Sequence, residues 1–219
     1  MMIKLFDYIL DLIYPPKCVF CGKVIDKSDI CNDCIKTLPY TKGDSVYQRF
    51  PFVDKCISPL YYKDYVRRAV LRFKFSGCSC YSRRLGAIMS ECAENNLDCG
   101  SIDMISCIPL SKKRLHDRGY NQAELLAKEI SKNVDVRFVP TLKKIKNNTA
   151  QSTIKDAKLR AKNVVGVYTV TDPETVKGKY ILLVDDVVTT GSTVSECARM
   201  LKRAGAKSVY CITLARRED

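Results

Sequence analysis

An α/β fold with a mostly parallel sheet and helices on both faces is predicted by three features of the 219-residue sequence. First, Ile102 to Pro109 and Tyr180 to Val184 are continuous apolar runs of the kind found in strands buried on both sides. Second, segments of helical period alternate with these runs, at Tyr65 to Phe75, Ser82 to Asn95, Asn121 to Lys132 and Ser192 to Ala204. Third, glycines close two of those helices, at Gly100 and Gly205.

In chain order, residues 1–16 form an amphipathic helix, with Ile3, Phe6, Ile9, Leu10 and Ile13 at helical spacing before Pro15 and Pro16 break it. It is expected to pack on the protein's own body, with membrane or partner contact as the alternative. Asp7 and Asp11 interrupt it and no small-residue cleavage site follows, so it does not have the form of an export signal. No segment is long and apolar enough to span a bilayer, and a reducing cytoplasm is the expected compartment.

A cysteine-rich module at 17–40 is followed by the main domain at 55–219. Strands are expected at Cys56 to Tyr62, Ile102 to Pro109, Val134 to Val139, Val164 to Val170 as a re-entry into the sheet, Tyr180 to Val184 and Ser208 to Leu214. In the helix from Tyr65, the residues Val66, Val70, Leu71 and Phe73 are expected to face inward. A basic loop should join Pro109 to Asn121. The charged stretch Leu142 to Asn163 has no sustained apolar period and is expected to be a mobile loop with a helical turn.

Twelve cysteines would suit a disulfide scaffold in a short exported chain, which this is not. Cys18-x-x-Cys21 and Cys31-x-x-Cys34 instead form two chelating pairs separated by nine residues, the pattern of one tetrahedral structural Zn²⁺. A disulfide or redox-active pair is the alternative. Cys78 and Cys80 with Cys92 or Cys99 form a weaker candidate for a second metal, because their spacing is unusual.

With 37 Lys+Arg against 24 Asp+Glu, the net charge is +13, which favours phosphorylated metabolites or nucleic acid, or else is plain solvated surface. The strongest chemical signal is Val184 to Thr193. An apolar strand delivers Asp185 and Asp186 to its C-terminal end, and Thr189, Thr190, Gly191, Ser192 and Thr193 supply hydroxyls and backbone N–H groups where the next helix begins. That second half is an anion cradle. Two carboxylates beside it suit the hydroxyls of a ribose, so together the two halves describe a sugar phosphate. The competing explanation is a strand-end cap followed by a simple turn.

This segment resembles the phosphoribosyl-pyrophosphate (PRPP) signature of type I phosphoribosyltransferases. Pro109 to Ala127, which includes Arg118-Gly119-Tyr120-Asn121-Gln122, is similar to the hallmark of the competence protein F family (ComF/GntX-like), and with the Cys-x-x-Cys module the likeness covers nearly the whole chain. The resemblance implies a type I phosphoribosyltransferase-like domain preceded by a small four-cysteine zinc module. It implies a pyrophosphate loop at Leu110, Ser111 and Lys112, with Lys113 and Arg114 facing the diphosphate and Arg118 and Asn121 as further candidates. It also implies a flexible loop carrying Gln151, Arg160, Lys162 and Asn163, of which Gln151, Arg160 and Lys162 are the catalytic candidates. Mg²⁺ would accompany PRPP, held mostly by diphosphate, ribose hydroxyls and water beside Asp185 and Asp186.

Functionally, the resemblance implies a factor in DNA uptake that handles single-stranded DNA, with competence helicase-type proteins as partners. A catalytic phosphoribosyltransferase of nucleotide salvage and a PRPP-sensing regulator are the alternatives. A DNA surface is expected at Arg67, Arg68, Arg72 and Lys74 with Lys or Arg near the zinc module; Tyr61, Tyr62, Phe73 and Phe75 are stacking candidates, with core packing the expected role of most of them. His116 is expected to be an ordinary loop residue.

Overall fold

The structure is a computed structural model that describes residues 15–26, 29–146 and 164–218. A six-stranded sheet runs in the order β1 (Tyr47–Gln48), β2 (Lys55–Ile57), β8 (Ser208–Arg216), β7 (Tyr180–Val188) and β4 (Met104–Cys107), with β3 (Leu60–Tyr61) also paired to β8. Every pairing in it is parallel except β1 with β2. A separate antiparallel hairpin joins β5 (Leu142–Lys144) to β6 (Tyr168–Val170).

The described helices are α1 (Asn32–Thr37), α2 (Asp64–Phe75), α3 (Tyr81–Asn96), α4 (Lys112–Arg118), α5 (Gln122–Val134), α6 (Pro173–Val176) and α7 (Ser192–Arg203). Because side chains alternate along a strand, β7 and β8 each feed two cores. Leu182, Val184, Ile212 and Leu214 pack with α2, α3 and α5, whereas Ile181, Leu183, Val209 and Cys211 pack with α7. Helices α3 and α5 meet closely at Gly86, where a Cβ would run into the Glu129 side chain.

The cysteine module has no core of its own. Val19, Phe20, Ile30 and Leu38 are buried in the same cluster as Val66, Val70 and Phe73 of α2. A Phe of that size buried completely is worth about 2–3 kcal/mol of transfer free energy, which here holds the module to the main body.

Several elements differ from expectation for identifiable reasons. Cys56 to Tyr62 is two short strands, because Pro59 has no N–H to donate to a ladder. Leu71 lies on the outer side of α2 and is 36% exposed. Val134 to Val139 is not a strand: α5 runs to Val134, Asp135 ends it in a left-handed conformation, and Phe138 makes a single bridge to Ile105. Val164 to Val170 does not re-enter the sheet, since Tyr168–Val170 pairs with β5. The expected loop from Leu142 begins as that strand, and its remainder at 147–163 lies outside the described residues, as does nearly all of the N-terminal helix. The basic loop after Pro109 contains α4, whose N-cap Ser111 accepts a hydrogen bond from the Arg114 N–H at 3.3 Å. No described helix is long and apolar enough to cross a membrane.

Candidate functional site

Strand β7 does not stop before the acidic pair; its ladder with β8 continues through Asp185, opposite Thr213, to Val188, opposite Arg216. Asp186 therefore shares the side of Leu182 and Val184, and its two carboxylate oxygens each lie 2.8 Å from Nζ of Lys74 on α2. Asp185 shares the side of Ile181 and Leu183, and its Oδ1 accepts the Asp186 N–H at 2.8 Å. Burial, followed by the charge of Asp186, pushes the Asp185 carboxyl up to about 7, against the opposing pull of Lys74, the Asp186 N–H and Arg118. Burial lowers the Arg118 guanidinium from its ordinary value, while Asp186 and Asp185 partly offset that effect. Lys74 thus pairs directly with Asp186, and Arg118 adds a second positive charge whose field reaches both carboxylates.

After the strand, Thr189, Thr190, Ser192 and Thr193 are half-buried around Gly191. Thr190 Oγ1 and Ser192 Oγ share a hydrogen bond at 2.9 Å. Gly191 is the N-cap of α7 at φ +70°, and a Cβ there would overlap the Phe50 ring, so both conformation and space call for glycine. No side-chain cap is made at this helix start, which leaves its positive end to an anion. Beside the loop lies a cleft of about 520 Å³ lined by Tyr47, Arg49, Phe50, Tyr61, Thr189 and Glu218 among others.

The Arg118 to Gln122 segment braces this arrangement. Arg118 donates to Gln122 Oε1 at 2.9 Å and lies 4.9 Å from the Phe75 ring centre. The Tyr120 hydroxyl donates to the Phe73 carbonyl at 2.6 Å. Asn121 caps α5 and donates through Nδ2 to the Ile108 carbonyl at 3.1 Å, which fixes the end of β4 where Leu110 and Ser111 follow. Ser111 is buried, Leu110 and Arg114 are half-buried, and Lys112 and Lys113 are exposed. On the hairpin, burial and then Arg114 lower Lys144 to about 8. Gln151, Arg160, Lys162 and Asn163 lie outside the described residues.

Two expectations for α2 change. Arg72 and Lys74 do not face solvent for DNA: Arg72 Nη2 donates to the carbonyls of Val19 and Phe20 at 2.8 and 2.7 Å, and Lys74 pairs with Asp186. Phe73 is fully buried and cannot stack a base, while Phe75 is 66% exposed. Arg67 and Arg68 remain on the surface, as does His116 on α4. Sequence reasoning missed Lys74 and Phe50 as neighbours of the site. The one local signal for Lys74 was its place between two phenylalanines at a helix end.

The thiols of Cys18, Cys21, Cys31 and Cys34 lie within 4.8 Å of one another, the one such group of three or more ligand-type residues among the described residues. Cys78, Cys80, Cys92 and Cys99, all described, do not form a second. Burial opposes ionisation of Cys18, but N–H groups of Cys21, Cys31 and Phe20 outweigh it and bring that thiol down to about 6. Burial, reinforced by the neighbouring thiols, raises Cys34 instead. Four converging sulfurs fit a closed tetrahedral zinc site, whose role is structural because no position is left for substrate.

The profile of the phosphoribosyl transferase domain matches residues 118–219, and that of the double zinc ribbon domain matches residues 9–45. Competence protein F of Haemophilus influenzae is 28% identical over 207 residues, covering 91% of this chain and 90% of its own. Competence protein ComFC of Bacillus subtilis is 27% identical over 91% of this chain and 77% of its own. DNA utilization protein YhgH of Escherichia coli (strain K12) is 36% identical over 52% of this chain, a segment spanning 49% of that relative. A zinc ribbon domain followed by a phosphoribosyl transferase domain, together with the likeness to competence protein F and competence protein ComFC over 91% of the chain, supports the competence protein F family.

Proposed function

We propose that the chain binds PRPP, or a nucleotide phosphate of the same shape, at Asp185, Asp186 and Thr189 to Thr193, and that it serves the handling of single-stranded DNA during DNA uptake. The observation that carries the first half is the acid pair towards the C-terminal end of a central parallel strand, followed within five residues by Gly191 at the start of α7, which has no side-chain cap. Ribose hydroxyls would donate to the carboxylates, and the 5′-phosphate would take the N–H groups and hydroxyls of the loop. Leu110, Ser111 and Lys112, close to the end of β4, would meet the diphosphate. Mg²⁺ would arrive with the ligand, held by its oxygens and water.

The DNA role is supported by the names of the relatives, competence protein F, competence protein ComFC and DNA utilization protein, together with the net charge of +13. Helicase-type competence proteins would be the protein partners, and the cytoplasm the working compartment. Titration of zinc-loaded protein with PRPP and Mg²⁺ by calorimetry, beside an Asp185→Ala/Asp186→Ala variant, tests the ligand. Saturable binding that the variant loses is expected; a folded wild type that binds nothing overturns it.

A second reading has an observation of its own. The 520 Å³ cleft adjoining Thr189 has three aromatic rings, Tyr47, Phe50 and Tyr61, and is of a size that holds small ligands, so it offers an acceptor of planar shape a place beside the phosphate loop. Transfer of the phosphoribosyl group would then release pyrophosphate, with Gln151, Arg160 and Lys162 as the loop candidates. Pyrophosphate release that requires both an added base and Mg²⁺ would establish it.

A further inference from the structure

We propose that Lys74 is a positioning residue for Asp186 and that the zinc ribbon sets it through Arg72, so that affinity for ribose phosphates depends on zinc. The inference rests on the acid-pair reading above. Its basis is the last turn of α2, where three successive residues are each tied to a different part of the protein.

Arg72 points to the ribbon. Its Nη2 bonds the carbonyls of Val19 and Phe20, which lie between the zinc-pair residues Cys18 and Cys21. Those carbonyls belong to a knuckle closed by the Gly22 N–H to the Cys18 carbonyl at 2.9 Å and the Cys18 N–H to the Lys23 carbonyl at 2.8 Å. Phe73 is buried in the core that the ribbon shares with the sheet, and its carbonyl accepts the Tyr120 hydroxyl. Lys74 points the other way, to Asp186, as residues two apart on a helix leave it about 200° apart around the axis. One rigid turn therefore spans from the metal knuckle to the acid pair.

The electrostatics give the coupling a direction. Asp185 and Asp186 are adjacent carboxylates, the first half-buried and the second buried, and accepting ribose hydroxyls favours the ionised form of both. Lys74 supplies the counter-charge at Asp186 from 2.8 Å. Without zinc the four thiols no longer hold the knuckle, and Arg72 loses two aligned acceptors. Its Nε is already buried without a hydrogen-bond partner among the described residues, and the cation–π contact with the Tyr81 ring, at 6.0 Å, lies at the outer limit of such contacts and is weaker than the two carbonyl bonds. The last turn of α2 then shifts or frays, and Lys74 leaves Asp186. Zinc binding and ligand binding should favour each other, and by linkage the effect must be reciprocal.

Full-length Arg72→Met, the milder Arg72→Lys, Lys74→Met and Lys74→Arg are titrated with PRPP and Mg²⁺ in the zinc-loaded state, with zinc content and circular dichroism recorded for each. Arg72→Met is expected to keep one zinc per chain and to bind PRPP at least about fivefold more weakly, the lower end of typical coupling. Lys74→Met should weaken binding similarly, and Lys74→Arg should recover most of it. Chelation should weaken the wild type but add little to the Arg72→Met defect. Hydrogen exchange on chelation, without ligand, gives an independent readout at residues 70–76 and 185–192. Loss of protection at 185–192 supports the link; protection that stays there while residues 18–34 open overturns it, as does wild-type affinity in zinc-loaded Arg72→Met. If the wild type binds no PRPP, the ligand reading fails, and hydrogen exchange still decides the coupling.

Discussion

Replacing Asp185 by Asn removes a carboxylate that burial and Asp186 push up to about 7, while keeping an oxygen that can accept the Asp186 N–H. A shift from 3.8 in the unfolded chain to about 7 is roughly three pH units, and at about 1.36 kcal/mol per unit it disfavours the folded state by on the order of 4 kcal/mol once the pH exceeds 7. The sign is opposite to that of a salt-bridged carboxylate. The contribution of Asp185 to stability is most favourable below 3.8, declines as the pH rises towards about 7, and is constant above that. Between pH 5 and pH 8 the wild type should lose on the order of 3 kcal/mol that Asp185→Asn does not lose, or roughly 5–10 °C in Tm for a chain of this size. Urea unfolding of both zinc-loaded proteins at the two pH values measures it, and calorimetry on the same samples should show PRPP binding lost in the variant. If Asp185→Asn follows the wild type across this pH range, or is the less stable of the two at pH 8, the assignment of a strained, ligand-ready carboxylate is wrong.

Gly191→Ala should cost about 1–2 kcal/mol from its positive φ alone, with more from overlap with Phe50, and adding Phe50→Ala should recover part of the stability in a double-mutant cycle. Phe20→Ala should destabilise the whole chain by about 3–5 kcal/mol in urea unfolding, because that ring belongs to the main core and not to a detachable ribbon. Tyr120→Phe should cost about 1 kcal/mol through the lost bond to the Phe73 carbonyl, measurable by the same method. Arg67→Ala/Arg68→Ala should weaken single-stranded DNA binding and reduce the slope of log K against log salt by about 1.4, as expected for two lost phosphate contacts; an unchanged slope would place the DNA surface elsewhere.

The parts of the site that were legible in the sequence are those in which chemistry and periodicity coincide over a short stretch. Tyr180 to Val184 is too apolar for a surface strand, the acid pair follows it, and Gly191 precedes a helical period closed at Gly205, so strand, loop and helix are all fixed within about 25 residues. The two Cys-x-x-Cys pairs are legible for the same reason, since chelation is a local geometric demand. What escaped depends on distant partners. Arg72 and Lys74 look like any basic helix face, because composition does not reveal that one meets carbonyls some fifty residues earlier and the other a carboxylate 112 residues later. Helix α4 has Leu115 as its one large apolar side chain, exposed at that, so no apolar stripe announces it; the Ser111 cap and the end at Gly119 define it instead. Val134 to Val139 has strand-like residues, but the ladder it would have extended is limited to one bridge by the left-handed turn at Asp135.

The pairing of β2 and β3 with β8 bears on how the chain is made. Residues 55–57 and 60–61 take their parallel partners from 210–212 and 215–216, and Arg216 Nη1 bonds the carbonyls of Ser45 and Tyr47. During synthesis from the N-terminus, the early strands emerge long before the strand that completes them. The side of each that faces β8 must wait unpaired until nearly the whole chain has left the ribosome, which is the circumstance in which parallel sheets fold slowly and are exposed to aggregation. A product cut short by a dozen residues would lose more than its last strand: β2 would keep only its antiparallel partner β1, β3 would lose its ladder, and chaperones or proteases would meet a chain open at its front as well as its end.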